Sequence, residues 1–334
     1  MFPGLIINII VTTGLRGNNM RTERFDLNSD GSARLMVDIY DETPATEKAP
    51  AFIYVPGGAF MMCVETDRGD IASRLVERGF RVSCTYVYPV GRAYRFPQVT
   101  IDLMKAIKLV RDHSEEWSVD PDRIVISGGS AGAFICMTCG NLWNRPDFME
   151  AAGCSGEEAK PNAMVLGFGP MFCGQQTADA KLTYVANGDL VGDQTPPAFF
   201  HHARKDALVS VYQTIAMLDA MERHKRPFAV YISSNGDHAD TSSQKRYLEK
   251  DGTASPCVDD WFPGCWQFLQ NELGMKQDVG EREPMAMPPL TAEIPIPPEG
   301  SVPTKFEDMP FGQADDIHMP FSTRFVDKDY EVFK

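Results

Sequence analysis

Long apolar stretches are missing from this chain: no run reaches the ~18 residues that a membrane-spanning helix needs. Positive charge is also scarce. Lysine and arginine number 32 against 46 aspartates and glutamates, for a net charge of -14. Phosphate binding needs a basic surface, so nucleic acid is not an expected partner. Docking on anionic membranes is disfavoured for the same reason. A disulfide scaffold is absent too. The eight cysteines (63, 84, 136, 139, 154, 173, 257 and 265) are scattered through 334 residues, several in apolar runs. Cys136 and Cys139 form a C-x-x-C pair but lack a second ligand pair, so packing rather than redox or zinc chemistry is expected of them. This usage fits a reducing compartment, and a cytoplasmic location is expected, with periplasmic or secreted sites left open. Met1 to Leu15 is apolar without a basic n-region or a small-residue cleavage site, so a signal peptide is not expected in it.

What is present suits a globular α/β chain. Hydrophobic residues make 43% and charged residues 23%, ordinary values for that class. Residues 1–20 read as a short apolar helix or arm. Arg21 to Leu27 and Arg34 to Tyr40 alternate as hairpin strands around Asn28-Ser29-Asp30-Gly31. Further strands are expected at 51–55, 80–87, 124–126, 163–168, 198–203 and 228–232. Helices are expected at 66–78, from Pro97 to about Val110, after Ser130, at 211–224 and at 261–273. Residues 144–160 read as irregular. Residues 169–197 show no clear periodicity, and a loop of that length is a candidate lid. Strands that alternate with helices and are nearly unbroken in apolar character call for a mostly parallel sheet covered on both faces. The domain is placed at 1–274. From 275 onward repeated prolines exclude regular structure, yet the aromatics between 306 and 333 are too many for a solvated tail. The tail is expected to strap across the body or a neighbouring subunit.

Chemistry centres on Arg123 to Phe134, where G-x-S-x-G places Gly128, Ser130 and Gly132 between a short strand and a helix. A serine on a sharp strand-to-helix turn projects its hydroxyl above the sheet edge. The plain alternative is a glycine-rich turn with a surface serine; the flanking strand and helix favour a nucleophile. Serine then needs a base, and the base an orienting acid. Only six histidines exist. His113 ends a helix, His201 and His202 sit on a strand, His224 ends a helix in a basic cluster, and His318 is in the tail. His238 lies in a small polar loop after the last strand, where strand ends should converge. Asp206 follows the strand 198–203 and fits the acid, though a helix N-cap would also explain it. Asp189, Asp193 and Asp237 are weaker candidates. Pro56-Gly57-Gly58 after a buried strand offers backbone N–H groups for an oxyanion. Met61, Met62, Met171, Phe172 and Trp143 are candidates for an acyl pocket, with core packing as the alternative.

These residues stand in a familiar order. P-G-G-A-F at 56–60, Y-x-Y-P at 86–89, F-P at 96–97, D-P-D-R-I at 120–124, G-G-S-A-G at 128–132, K-D-A-L-V at 205–209 and D-H-A at 237–239 resemble the α/β-hydrolase esterases of the hormone-sensitive-lipase and acetyl-esterase type, including their feruloyl/acetyl-xylan esterase-like branch. The resemblance runs over roughly residues 35–273 and leaves the tail unexplained. It implies an α/β-hydrolase fold with a small cap or none. It implies hydrolysis of short-chain carboxylic esters, acetyl groups on sugars among them, without metal or cofactor. Ser130 would be nucleophile, His238 base, Asp206 orienter, and the N–H groups of Gly57 or Gly58 and of Ala131 the oxyanion hole. Pro56 stands where the family usually has histidine, whose hydrogen bonds order that loop; proline stiffens it differently. A peptidase of the prolyl-oligopeptidase kind and a non-catalytic binding protein are the alternatives.

Overall fold

Apolar runs without a polar alternation must be buried on both faces, and the computed structural model shows how this is done. It describes residues 10–13, 19–40, 47–63, 69–91, 96–176, 182–234, 236–239, 261–276 and 331–332. In chain order the elements are β1 (Ile10–Thr13), β2 (Asn19–Asp26), β3 (Arg34–Tyr40), β4 (Ala49–Val55), α1 (Gly69–Val76), β5 (Val82–Val87), α2 (Gln98–Asp112) and β6 (Val119–Gly129). There follow α3 (Ala131–Leu142), α4 (Pro146–Ala152), β7 (Ala163–Gly167), β8 (Phe172–Gln176), β9 (Leu182–Ala186), a 3-10 turn (Asn187–Leu190) and β10 (Ala198–Ala203). The last are α5 (Tyr212–Arg223), β11 (Phe228–Ser233), α6 (Phe262–Glu272) and β12 (Glu331–Val332).

Nine strands form one sheet in the order β1-β2-β3-β5-β4-β6-β7-β10-β11. The first three neighbour pairs are antiparallel, and the pairs from β5 to β11 are parallel. Side chains alternate between two cores, as the pleat requires. Ile53, Ile124, Ile126, Met164, Leu166 and Phe200 face a core shared with α2 and α3. Phe52, Val125, Val165 and Phe199 face the other, shared with α1 and α6. Each such side chain, fully buried, contributes about 1.5–3 kcal/mol. Cys136 and Cys139 lie wholly inside the first core, where burial raises both thiols well above their ordinary range.

Three expectations are corrected. Residues 10–13 are a strand paired with β2, not a helix, while 1–9 and 14–18 lie outside the described residues. Residues 146–152 form α4: Pro146 opens it, and Gly153 closes it at φ 65. Two turns are too short for a periodic signal. Within 169–197, where 177–181 lie outside the described residues, β8 and β9 pair antiparallel before the 3-10 turn. Most of the tail lies outside the described residues. Its end, β12, pairs in parallel with β9 of the same chain, and nothing among the described residues supports a contact with a neighbouring subunit. Among the described residues no helix is long and apolar enough to cross a membrane.

Parallel pairing aligns the carboxyl ends of the central strands. Val55 lies opposite Gly128, Gly129 opposite Gly167, Gly167 opposite His201 and Ala203 opposite Ser233. Everything described next hangs from this edge.

Candidate active site

Ser130 joins β6 to α3 with φ 54 and ψ −122, a conformation that L-residues rarely adopt. Such a backbone costs about 1–3 kcal/mol and persists only where its surroundings enforce it. Enforcement is visible here. The Ser130 N–H donates to Gly167 O at 2.9 Å, extending the pairing of β6 with β7. A Cβ on Gly128 would stand 2.5 Å from the carbonyl carbon of Gly132, and a Cβ on Gly132 only 1.9 Å from Val55 O. The turn is therefore closed by backbone contact, which only glycine permits. Gly132→Ala is expected to lower stability by about 3 kcal/mol, read as a shift in the urea midpoint. An unmoved midpoint would show that the turn opens freely.

Two loops bring partners to the hydroxyl. His238 Nε2 lies 3.0 Å from Ser130 Oγ, and Nδ1 lies 2.8 Å from Asp206 Oδ2. The Asp206 side chain is fully buried, whereas that of His238 is 17% exposed. The N–H groups of Leu208 and Val209 donate to Asp206 Oδ1 at 2.9 and 2.7 Å, the turn geometry of a capping aspartate. Burial pushes this carboxyl upward, but hydrogen bonds from His202, His238 and the Val209 N–H outweigh it and hold the group well below the usual carboxylate range. Asp237 Oδ1 accepts from the N–H groups of Ala207 and His238 at 2.8 and 2.7 Å and so ties the two loops together. Those same N–H groups hold its carboxyl below the ordinary value. Phe168, at the end of β7, sets its ring 5.0 Å from the His238 ring at an angle of 81°.

The glycine loop lies against the turn. A Cβ on Gly57 would be 3.0 Å from Gly129 O and 3.4 Å from Ser130 Cβ, and Gly58 sits at φ +126. Phe60 anchors the loop in the core, edge-on to Phe134 at 5.8 Å. Pro56 cannot donate a hydrogen bond, but a buried hydroxyl does so from outside: Tyr88 Oη is 3.0 Å from Pro56 O and 3.1 Å from Gly57 O. The loop is thus ordered by a tyrosine. Ala131 opens α3, and the first N–H groups of a helix have no acceptor within it.

Other candidates are placed elsewhere. Asp189 and Asp193 are exposed, on the 3-10 turn and just after it. His113 and His224 cap the ends of α2 and α5, and His318 lies outside the described residues. His201 is buried and stacked on Trp261 at 4.1 Å, and burial pushes it down to about 3. Met61 and Met62 are 72% and 60% exposed beside the glycine loop, while Met171 is buried in the core. Trp143 is buried and donates from Nε1 to Gln194 O, and Phe172 is half-buried. Sequence reasoning gave Tyr88 only as part of Y-x-Y-P, without a role, and passed over Phe168; each sits just past a strand end. Among the described residues no group of three or more His, Cys, Asp or Glu is placed to hold a metal ion.

Comparison with known proteins agrees with this architecture. The BD-FAE family model matches residues 37–172, which span β4, the glycine loop and the Ser130 turn. The chain is thus similar to esterases over this stretch and shares the α/β-hydrolase fold. Esterase LipQ of Mycobacterium tuberculosis is 27% identical over 220 residues, covering 57% of this chain and 50% of that protein. An acetylxylan esterase of Xylanibacter ruminicola is 26% identical over 232 residues, covering 64% of this chain and 45% of that one. This chain spans half or less of the length of both. The fold is shared with the carboxylesterase Cest-2923 of Lactobacillus plantarum, at TM-score 0.61 and 19% identity over 82% of this chain and all of that one.

Proposed function

We propose that this chain hydrolyses carboxylic esters through an acyl-enzyme formed on Ser130. The observation that carries the reading is the 3.0 Å approach of an imidazole nitrogen to a serine hydroxyl held on a strained turn. In this mechanism His238 Nε2 takes the hydroxyl proton as Oγ attacks the ester carbonyl. Asp206, accepting from Nδ1–H, fixes the tautomer and stabilises the imidazolium. The tetrahedral oxyanion is received by the N–H of Ala131 and that of Gly57 or Gly58. His238 then protonates the departing alcohol. Water, deprotonated by the same imidazole, cleaves the acyl-serine, and the proton returns to Oγ. Every step uses the chain's own groups.

For substrate we propose short acyl esters, with acetyl groups on carbohydrates as the leading class. Support comes from likeness to the acetylxylan esterase, not from a pocket shape. The test is p-nitrophenyl esters of graded acyl length and acetylated xylan, together with a fluorophosphonate probe. Turnover should be highest on acetate, and the probe should add its mass to the peptide bearing Ser130. An unlabelled, inactive protein would sink the proposal.

The Tyr88 tether gives a further expectation. Tyr88→Phe removes the donor to Pro56 O and Gly57 O and leaves the ring in place. Loosening the loop should lower kcat/KM by about 10- to 100-fold, measured by steady-state kinetics. Wild-type kinetics in that variant would show the loop holds itself.

A further inference from the structure

Asp206 carries a partner that a three-residue mechanism does not use. His202, on β10, is wholly buried. Its Nε2 lies 3.2 Å from Asp206 Oδ2, the same oxygen that faces His238, and 2.9 Å from Val209 O. Both neighbours are acceptors, so Nε2 must bear the hydrogen. At the other end of the ring, Nδ1 lies 2.8 Å from Thr214 Oγ1 on α5, a hydroxyl free to donate. The imidazole is therefore gripped from two elements, in one tautomer, with its single N–H shared between Val209 O, the nearer acceptor, and the Asp206 carboxylate. Its neighbour His201 points the opposite way, toward Trp261, as strand alternation demands. An apolar side chain would fill the His202 site without the cost of burying a polar ring. Packing alone does not explain a donor at this position.

We infer that His202 is a positioning residue for the proposed reaction: by donating to Oδ2 it locks the Asp206 carboxylate in the orientation His238 needs and draws charge from the oxygen that faces that imidazole. The inference rests on the acyl-enzyme reading for its kinetic consequence, but not for its electrostatic one. With a second donor on Oδ2, that oxygen carries less negative charge than in a carboxylate bonded to one imidazole alone. Among the described residues, the groups facing His238 are Ser130 Oγ, the Asp206 carboxylate and the Phe168 ring, with Asp237 attached through the His238 N–H. Of these, removal of His202 changes only the charge on Asp206.

The experiment compares the full-length parent with His202→Leu and His202→Gln. In His202→Leu the acid limb of the kcat/KM–pH profile should move upward by about 0.5 to 1 pH unit, and plateau kcat should fall about tenfold with KM unchanged. Glutamine, whose amide can take the place of Nε2–H, should return the limb to the parent position. In parallel, NMR of histidine-labelled protein follows the His238 ring directly and should show the same upward movement. A purely structural histidine would lower the melting temperature and leave both readouts where they were; that result overturns the inference. If the parent proves inert on esters, the acyl-enzyme reading falls while the NMR titration still decides the role of His202. If His202→Leu does not fold, Thr214→Val releases the far end of the ring and should give a smaller movement in the same direction. An unmoved titration there overturns the inference equally.

Discussion

Replacing Ser130 with alanine should reduce ester turnover by about 10⁵- to 10⁶-fold and leave the protein folded. The reason is local. Ser130 holds φ 54 through the close contacts of Gly128 and Gly132 and through its own N–H bond to Gly167 O, none of which involves the hydroxyl. Alanine carries the same backbone strain and removes only the attacking oxygen. Stability should therefore change by about 0.5 kcal/mol at most, as for substitutions away from packing and buried polar contacts. What remains of the rate would come from the oxyanion donors and substrate binding alone. Steady-state assay on p-nitrophenyl acetate, with a urea transition on the same sample, checks both halves. Near-parental turnover would eliminate the proposed mechanism.

Asp206→Asn should be nearly as damaging, at about 10⁴-fold in kcat, and it should also destabilise. Four donors converge on this carboxylate: the N–H groups of Leu208 and Val209 on Oδ1, and the imidazoles of His202 and His238 on Oδ2. An asparagine amide brings its own N–H₂ to one of those two positions. In either orientation a donor faces donors in a buried site, which costs about 1–3 kcal/mol for the bond left unmade. If the amide faces His238, the ring is driven toward the wrong tautomer. The pH dependence follows from the carboxyl being held below its ordinary value. A group whose folded value lies below its unfolded one contributes stability that is complete above about pH 4 and is lost as pH falls through the folded value. The parent's advantage over the variant should thus be full at pH 7 and shrink in strong acid. Urea unfolding at pH 7 and at pH 3 measures it, and a constant gap would contradict the assignment.

Much of the architecture could be read from residue order. The doubly buried strands at 51–55 and 163–167 are continuous in apolar character because two cores claim alternate side chains. The hairpin around Gly31 was legible because its turn residues sit between alternating runs, and the chain returns there with a bond from Leu27 N–H to Ala33 O. Short or irregular elements were not legible. Helix α4 has seven residues behind a proline, and β8 and β9 are short strands paired with each other off the main sheet. Local composition hides such elements because their stability comes from contacts, not from propensity.

The same division holds at the site. Gly128, Ser130 and Gly132 could be recognised because part of the constraint is local: a five-residue turn cannot close around a side chain on Gly128 that would stand 2.5 Å from the carbonyl carbon of Gly132. His238 and Asp206 could be nominated by elimination, since histidines are few and parallel strands end on one edge. Which aspartate meets the imidazole, which hydroxyl ties down the glycine loop, and why a second histidine lies on Asp206 are decided by contacts between residues 31 to 32 positions apart, or by side chains on adjacent elements. Sequence spacing carries turns and periodicity. Distances across the sheet edge exist only once β4, β6, β7, β10 and β11 are paired in register, and that pairing is what sets the imidazole of one loop against the hydroxyl of another.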